Sequence, residues 1–332
     1  MKLRTEVDPS PANWKIDHDS KGLCLGSCFA DEIGARLGRH KFPVDVNPFG
    51  IIYHPFPLFQ VLRDFTLAKA DFISCQEDSF FEREGRWGSF LLPGTHDSKK
   101  DRLEHLQNTH DKVSAALTDG KYLVLTFGTA IGFHHLQLDQ IVANCHKFPG
   151  QDFERHITPL GQLYSFARES LAQIFALNPD LKVLLTVSPV RHIRSGLENN
   201  SVSKALLRAL CHHLVSVFPA VGYFPSYEIM MDDLRDYRFY RSDLIHPNEM
   251  AVDYIWEKLA NGYFSEGTRE LLQQIGQVMR DLAHRPINPR SEGHKRFLVQ
   301  LEKKISQLSG QVDLTGEWAQ LRDLKAEAGL EL

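Results

Sequence analysis

The stretch LCLGSCFADEIGARL, residues 23–37, decides the fold. Leu23 to Leu25 forms a short apolar run of the kind found in buried strands, and Phe29, Ile33 and Leu37 then recur at helical spacing. A strand therefore hands over to a helix at Gly26, and two nucleophilic side chains, Ser27 and Cys28, stand at the joint.

The same alternation continues along the chain. Residues 42–57 are crowded with Pro, Phe and Gly and read as loop, after which Leu58, Val61, Leu62 and Phe65 open another helical face. Residues 71–99 read as irregular or hairpin-like. Leu103, Leu106, Val113 and Leu117 mark a helix stopped at Gly120, and KYLVLTF at 121–127 is an unbroken apolar strand. A helix over 160–177 then precedes the strand KVLLTVS at 182–188, and a helix over 202–217 precedes a short strand at 222–224. The next helix is expected to begin at Pro247, whose missing N–H is harmless at a first helical position. Strands that are apolar on both faces and alternate with helices predict a parallel sheet between two helical layers, a three-layer α/β/α sandwich.

Beyond residue 265 no strand pattern remains. Leu271, Leu272, Ile275, Val278, Met279 and Leu282 form one helical stripe. Phe297, Leu298, Leu301, Ile305 and Leu308 form a second, and Trp318, Leu321 and Leu324 a weaker third. The chain thus divides into an α/β domain at 1–265 and a helical extension at 266–332, which covers the core or pairs with a second copy.

Composition narrows the function classes. With 332 residues, 42% hydrophobic and 24% charged, and a formal charge of -4, the chain is an ordinary globular protein with no polycationic character for nucleic acid. No segment approaches the roughly 18 to 20 uncharged apolar residues of a membrane span, and the first residues lack the apolar run of a secretory signal, so a cytoplasmic location is expected. Five cysteines, an odd number, fit reduced thiols better than a disulfide framework. Cys24 and Cys28 are wrongly spaced for a zinc pair and have no second pair downstream.

Ligands of open parallel sheets bind outside the carboxyl ends of the strands. Residues at such ends or in adjoining loops are Ser27 and Cys28, Gly50 in NPFG, Thr129 in FGTA, Asn144 in VANCHK, and Asp243 with His246 in SDLIHPN. Asp243 and His246 are spaced so that the carboxylate can take a hydrogen bond from one imidazole nitrogen and leave the other free as a base. On its own a D-x-x-H is more often a capped turn, and only a nucleophile beside it makes it catalytic. Arg191 and His192 follow a strand end, where they could bind an anionic group, with Glu228 on the same rim.

LGSCFADEIG resembles the signature of the GSCFA family, a group within the SGNH/GDSL hydrolase superfamily. The likeness continues through NPFGIIYHP, TFGTA, VANCHK, TVSPVRH, FPSYEI and DYRFYRSDLIHPN, and spans roughly residues 20–260. It implies acyl-ester chemistry with a nucleophile after the first strand and a late Asp-x-x-His. Asp243 would then orient His246, and His246 would activate the nucleophile. Setting Gly26-Ser27-Cys28-Phe29 against G-D-S-L puts Cys28 at the nucleophile and Ser27 at the aspartate, a departure from the pattern. Cys28 is favoured over Ser27 on that alignment and because a helix N-terminus and a nearby histidine lower a thiol pKa. The resemblance further implies oxyanion donors from the nucleophile's N–H, from a glycine, met by Gly50, and from an asparagine. The third block offers Thr129 in place of that asparagine, unless Asn144 reaches in.

The expected activity is hydrolysis or transfer of an acyl ester, with a small molecule or O-acyl carbohydrate as substrate. No metal or other cofactor is required. Nucleic acid and membrane are not expected partners, and a second copy of the chain could dock through the helical tail. Two rivals remain: a catalytically silent binding module that uses the same crevice, and a scaffold built on the tail.

Overall fold

The computed structural model describes residues 4–10 and 12–330. The α/β part runs β1 (Gly22–Gly26), α1 (Cys28–Arg39), β2 (Val44–Val46), α2 (Pro55–Asp64), α3 (Lys69–Glu77) and a hairpin sheet of β3 (Phe80–Arg83), β4 (Arg86–Ser89) and β5 (Thr95–His96). It continues with α4 (Lys99–Asp119), β6 (Tyr122–Phe127), and the second small sheet of β7 (Ile131–His135), β8 (Gln140–Ile141) and β9 (Phe153–Ile157). Then come α5 (Leu160–Leu177), β10 (Lys182–Val187), α6 (Leu197–Val217), β11 (Val221–Phe224), the short α7 (Ser226–Glu228) and α8 (Glu249–Tyr263). The tail is α9 (Glu266–Ala283), α10 (Glu292–Leu308) and α11 (Thr315–Ala328).

The central sheet has the order β11-β10-β6-β1-β2, parallel throughout. Its residues alternate between two cores, as the period of a strand requires. Leu23, Leu25, Leu123, Leu125, Phe127, Val183, Leu185 and Val187 face α2, α4, α5 and α6. Cys24, Tyr122, Val124 and Leu184 face α1 and α8. The apolar runs have no polar alternation because both faces are covered, which yields the expected three-layer sandwich. Burying each Leu or Val here contributes roughly 1.5 to 3 kcal/mol.

The tail helices close over a third apolar cluster of their own, in which Ile275, Leu298, Leu301 and Ile305 are buried. The tail also reaches the α/β part: Leu272 joins the α1 and α8 core, and Lys41 pairs with Glu317 at 2.7 Å.

Local readings differ from the structure in four places. Strand β2 lies inside the stretch read as loop, because three residues among Pro and Phe carry too little pattern to be seen. Within 71–99 a helix, α3, precedes the hairpin. Helix α6 begins at Leu197, not 202. Helix α8 begins at Glu249 and is capped by Asn248, whose side chain accepts from Ala251 N at 3.0 Å, so Pro247 precedes the cap rather than opening the helix.

Two glycines shape strand β1. A Cβ on Gly22 would fall within the Tyr122 ring, and Gly26 has φ +127° with the Thr126 carbonyl oxygen only 2.1 Å from where a Cβ would stand. Gly26→Ala should therefore lower stability by at least about 2 kcal/mol, through strain plus collision. Urea unfolding monitored by circular dichroism checks this, and an unchanged midpoint would contradict the close approach.

Candidate functional site

In a sheet of this order the connections leave β1 and β6 toward opposite edges, and the crevice that receives ligands lies outside their carboxyl ends. The turn after β1 is held from both sides. Ser27 N donates to Thr126 O at 3.0 Å, and Ile52 N donates to Gly26 O at 3.0 Å. Gly26 N donates to the Asn47 side-chain oxygen at 2.9 Å, and Asn47 Nδ2 donates to Asp31 at 2.6 Å. Asn47 thus ties the end of β1, the loop after β2 and the first turn of α1.

The two side chains at the joint have different fates. Ser27 is buried, and its oxygen caps α1 by accepting from Phe29 N at 3.3 Å. Cys28, the first helical residue, is partly exposed. The expected lowering of the thiol pKa is not met: burial, and then the charge of Asp31, hold the Cys28 thiol above its ordinary value, against a downward pull from Lys204 and with a smaller upward push from Glu32.

Asp243 and His246 form a hydrogen-bonded pair, Oδ2 to Nδ1 at 2.7 Å. Asp243 Oδ1 also accepts from the N–H groups of Ile245 at 2.8 Å and His246 at 3.0 Å. These hold Asp243 down at about 2: first the His246 N–H, then the Ile245 N–H, then the imidazole. Their loop is pinned to the sheet's carboxyl end. Arg241 pairs with Glu32, one turn after Cys28, and Arg191 N donates to Ile245 O at 3.4 Å. The aspartate-histidine pair and the Cys28 helix terminus are so joined to one end of the molecule. Among the described residues no hydrogen bond links His246 Nε2 to Ser27 or Cys28.

The expected oxyanion donors have other partners. Gly50, at φ +95°, gives its N–H to Asn47 O at 2.8 Å and closes a turn. Thr129 is buried, with its hydroxyl at 3.1 Å from Ser203 and accepting from Ile131 N, and its N–H goes to Tyr53 O. Asn144 is exposed and accepts from His146 N within its own turn. All three residues also take part in the hydrogen bonding of their own loops, a role that motif spacing does not distinguish from a donor role.

The expected substrate residues divide as well. Arg191 donates to Tyr240 OH at 2.9 Å and stacks over the Tyr240 and Tyr237 rings. Glu228 is occupied by Tyr223 OH and Arg208. His192 gives its N–H to Asn200, and its buried Nδ1 has no protein partner. Burial and the cations Lys204, Arg194 and Arg155 hold His192 below its ordinary range, so this rim is positive.

Four residues near Cys28 went unnoticed in the sequence: Asp31, Asn47, Tyr53 and Lys204. The signal for Lys204 was its position on the buried stripe of α6 with Leu207, Cys211 and Leu214, where an apolar residue belongs.

The chain matches the model of the GSCFA family over residues 21–259, most of its length. It belongs to the GSCFA family. Residues 275–324 match a second model, the C-terminal domain of GSCFA domain proteins, and fall on the tail helices. No curated protein matches the chain. Among the described residues, no helix of this GSCFA protein is long and apolar enough to cross a membrane.

Two outcomes follow. Ser27→Ala should cost about 1 kcal/mol of stability as a lost cap while leaving iodoacetamide labelling of Cys28 intact, as read by urea unfolding and peptide mass spectrometry. The depressed carboxyl of Asp243 contributes stability that is complete above roughly pH 4 and fades as pH falls toward the folded value. Carbon-13 NMR of its carboxyl should give a midpoint near 2, and one near 4 would mean the loop hydrogen bonds are not formed in solution.

Proposed function

We propose that this GSCFA protein is an SGNH-type acyl-ester hydrolase or acyltransferase in which Cys28 is the nucleophile, His246 the base and Asp243 its orienting carboxylate. The observation that carries this reading is the 2.7 Å bond from Asp243 to His246 Nδ1, on a loop held against the helix that begins with Cys28. Binding at Nδ1 fixes the tautomer and leaves Nε2 as the proton acceptor.

His246 takes the thiol proton as the Cys28 sulfur bonds to the acyl carbonyl carbon. The ester C–O bond then breaks, and the alcohol leaves with the proton returned by His246. Water or an acceptor hydroxyl, deprotonated by the same imidazole, attacks the thioester and restores the thiol. The N–H of Cys28, at the positive end of α1, is positioned to donate to the developing oxyanion. Partial exposure of Cys28 and the capping role of Ser27 favour the thiol over the hydroxyl. The cations Arg194 and Arg155 around His192 suit an anionic group on the acyl donor or on its carrier.

A silent binding module is the second reading, favoured by the occupied N–H of Gly50 and hydroxyl of Thr129. p-Nitrophenyl acetate separates the two. Acylation of Cys28 with turnover, reduced about 10²- to 10⁴-fold in His246→Ala, supports the enzyme. Absence of acylation in folded protein, or unchanged turnover in His246→Ala, supports the module.

A further inference from the structure

We propose that Lys204 sets the charge state of Cys28, acting as a positioning residue through the thiol rather than on substrate. The inference rests on the reading of Cys28 as the reacting group. Lys204 is 1% exposed. Its Nζ donates to Gly128 O at 2.8 Å and to Ser188 O at 2.6 Å, the residues that follow adjacent strands β6 and β10. Gly128 in turn lies against the nucleophile turn, where a Cβ on it would stand 3.3 Å from Ser27 Cβ. The amine is therefore anchored at the carboxyl end of the sheet, one residue's contact away from the joint that carries Cys28.

A buried ammonium normally has a carboxylate partner. Among the described residues none lies within ion-pair distance of Lys204. Burial pushes Lys204 down to about 7, against an opposing upward pull from Cys28, the ionisable side chain that favours its charge. The effect is mutual, since Lys204 lowers the thiol that burial, Asp31 and Glu32 raise. Tyr53 faces Cys28 from the loop after β2, the Tyr227 ring lies 5.7 Å from Lys204 Nζ, and His192 faces Lys204 from the loop after β10. Of the groups acting on Cys28, Lys204 is the cation.

Two carbonyls occupy two positions on Nζ and leave one without a protein partner among the described residues. In the neutral state that position is a lone pair, and in the charged state a proton. The charge states of the two groups are thus linked: an ammonium at Lys204 favours a thiolate at Cys28, and a thiolate favours the ammonium. Asp31 and Glu32 oppose the thiolate, so its population depends on the lysine.

The test is the pH profile of Cys28 alkylation by iodoacetamide, read by peptide mass spectrometry, in the full chain and in Lys204→Met. Loss of the charge should move the midpoint upward and slow alkylation near pH 7.5 about tenfold or more. An unchanged profile in folded Lys204→Met overturns the proposal. Because that variant leaves two carbonyls unpaired and can fail to fold, the reciprocal measurement uses Cys28→Ala. In protein labelled with carbon-13 at lysine Cε, the Lys204 midpoint should fall when the thiol is removed, and an unmoved midpoint again overturns the proposal. Shifted profiles in a protein that does not turn over esters uphold the lysine-thiol pair and remove only the acyl chemistry.

Discussion

The turn from Gly26 to Cys28 is clamped on both sides of strand β1, and the rest of the site depends on that clamp. The Thr126 carbonyl of β6 holds Ser27 N, while the loop after β2 holds Gly26 through the Asn47 side chain and Ile52 N. With the Thr126 carbonyl oxygen 2.1 Å from where a Cβ would sit, only glycine lets β1 and β6 stay paired to their last residues. The helix that follows has no freedom in where it starts. Ser27 becomes its cap and Cys28 its first residue, so of two adjacent nucleophiles one is occupied by backbone and the other is partly exposed.

Charge around that crevice is set by competition between burial and a few cations. Asp31 is bound to Asn47, part of the same clamp, and it disfavours a thiolate at Cys28. Lys204, delivered by α6 from the opposite layer, counters it while tying the ends of β6 and β10 together. Arg194 and Arg155 extend the positive character past His192. The aspartate-histidine loop is brought in by its own fixings, Arg241 to Glu32 and Arg191 to the Ile245 carbonyl.

The layers were legible because burial on both faces leaves an uninterrupted apolar run, as in 121–127 and 182–188, and helices leave a stripe. Strand β2 was not, since Val44 to Val46 is held by pairing with β1 rather than by a pattern of its own. The start of α8 was misplaced because both Pro247 and Asn248 are competent at a helix start, and only the hydrogen bond to Ala251 N identifies the cap. In the site, the Asp243 and His246 bond was readable because a three-residue spacing suffices to form it. The hydrogen bonds that Gly50, Thr129 and Asn144 make within their own loops were not readable, because a residue type at a strand end is equally suited to closing a turn.

Periodicity and short-range spacing by themselves determined the three layers, the helical tail, the strand-to-helix joint and the local aspartate-histidine bond. These depend on neighbours a few residues apart, and such neighbours are written consecutively in the chain. The tertiary structure alone decided which joint side chain is free, which N–H groups are occupied, and that a lysine from a stripe of leucines is anchored to the carbonyls of Gly128 and Ser188 at the sheet's carboxyl end. The lysine depends on distant segments, Lys204 and Gly128 being 76 apart, and the local bonds depend on which of several competing groups takes the same few hydrogen-bonding positions. The outcome of that competition exists only once the sheet has brought them together.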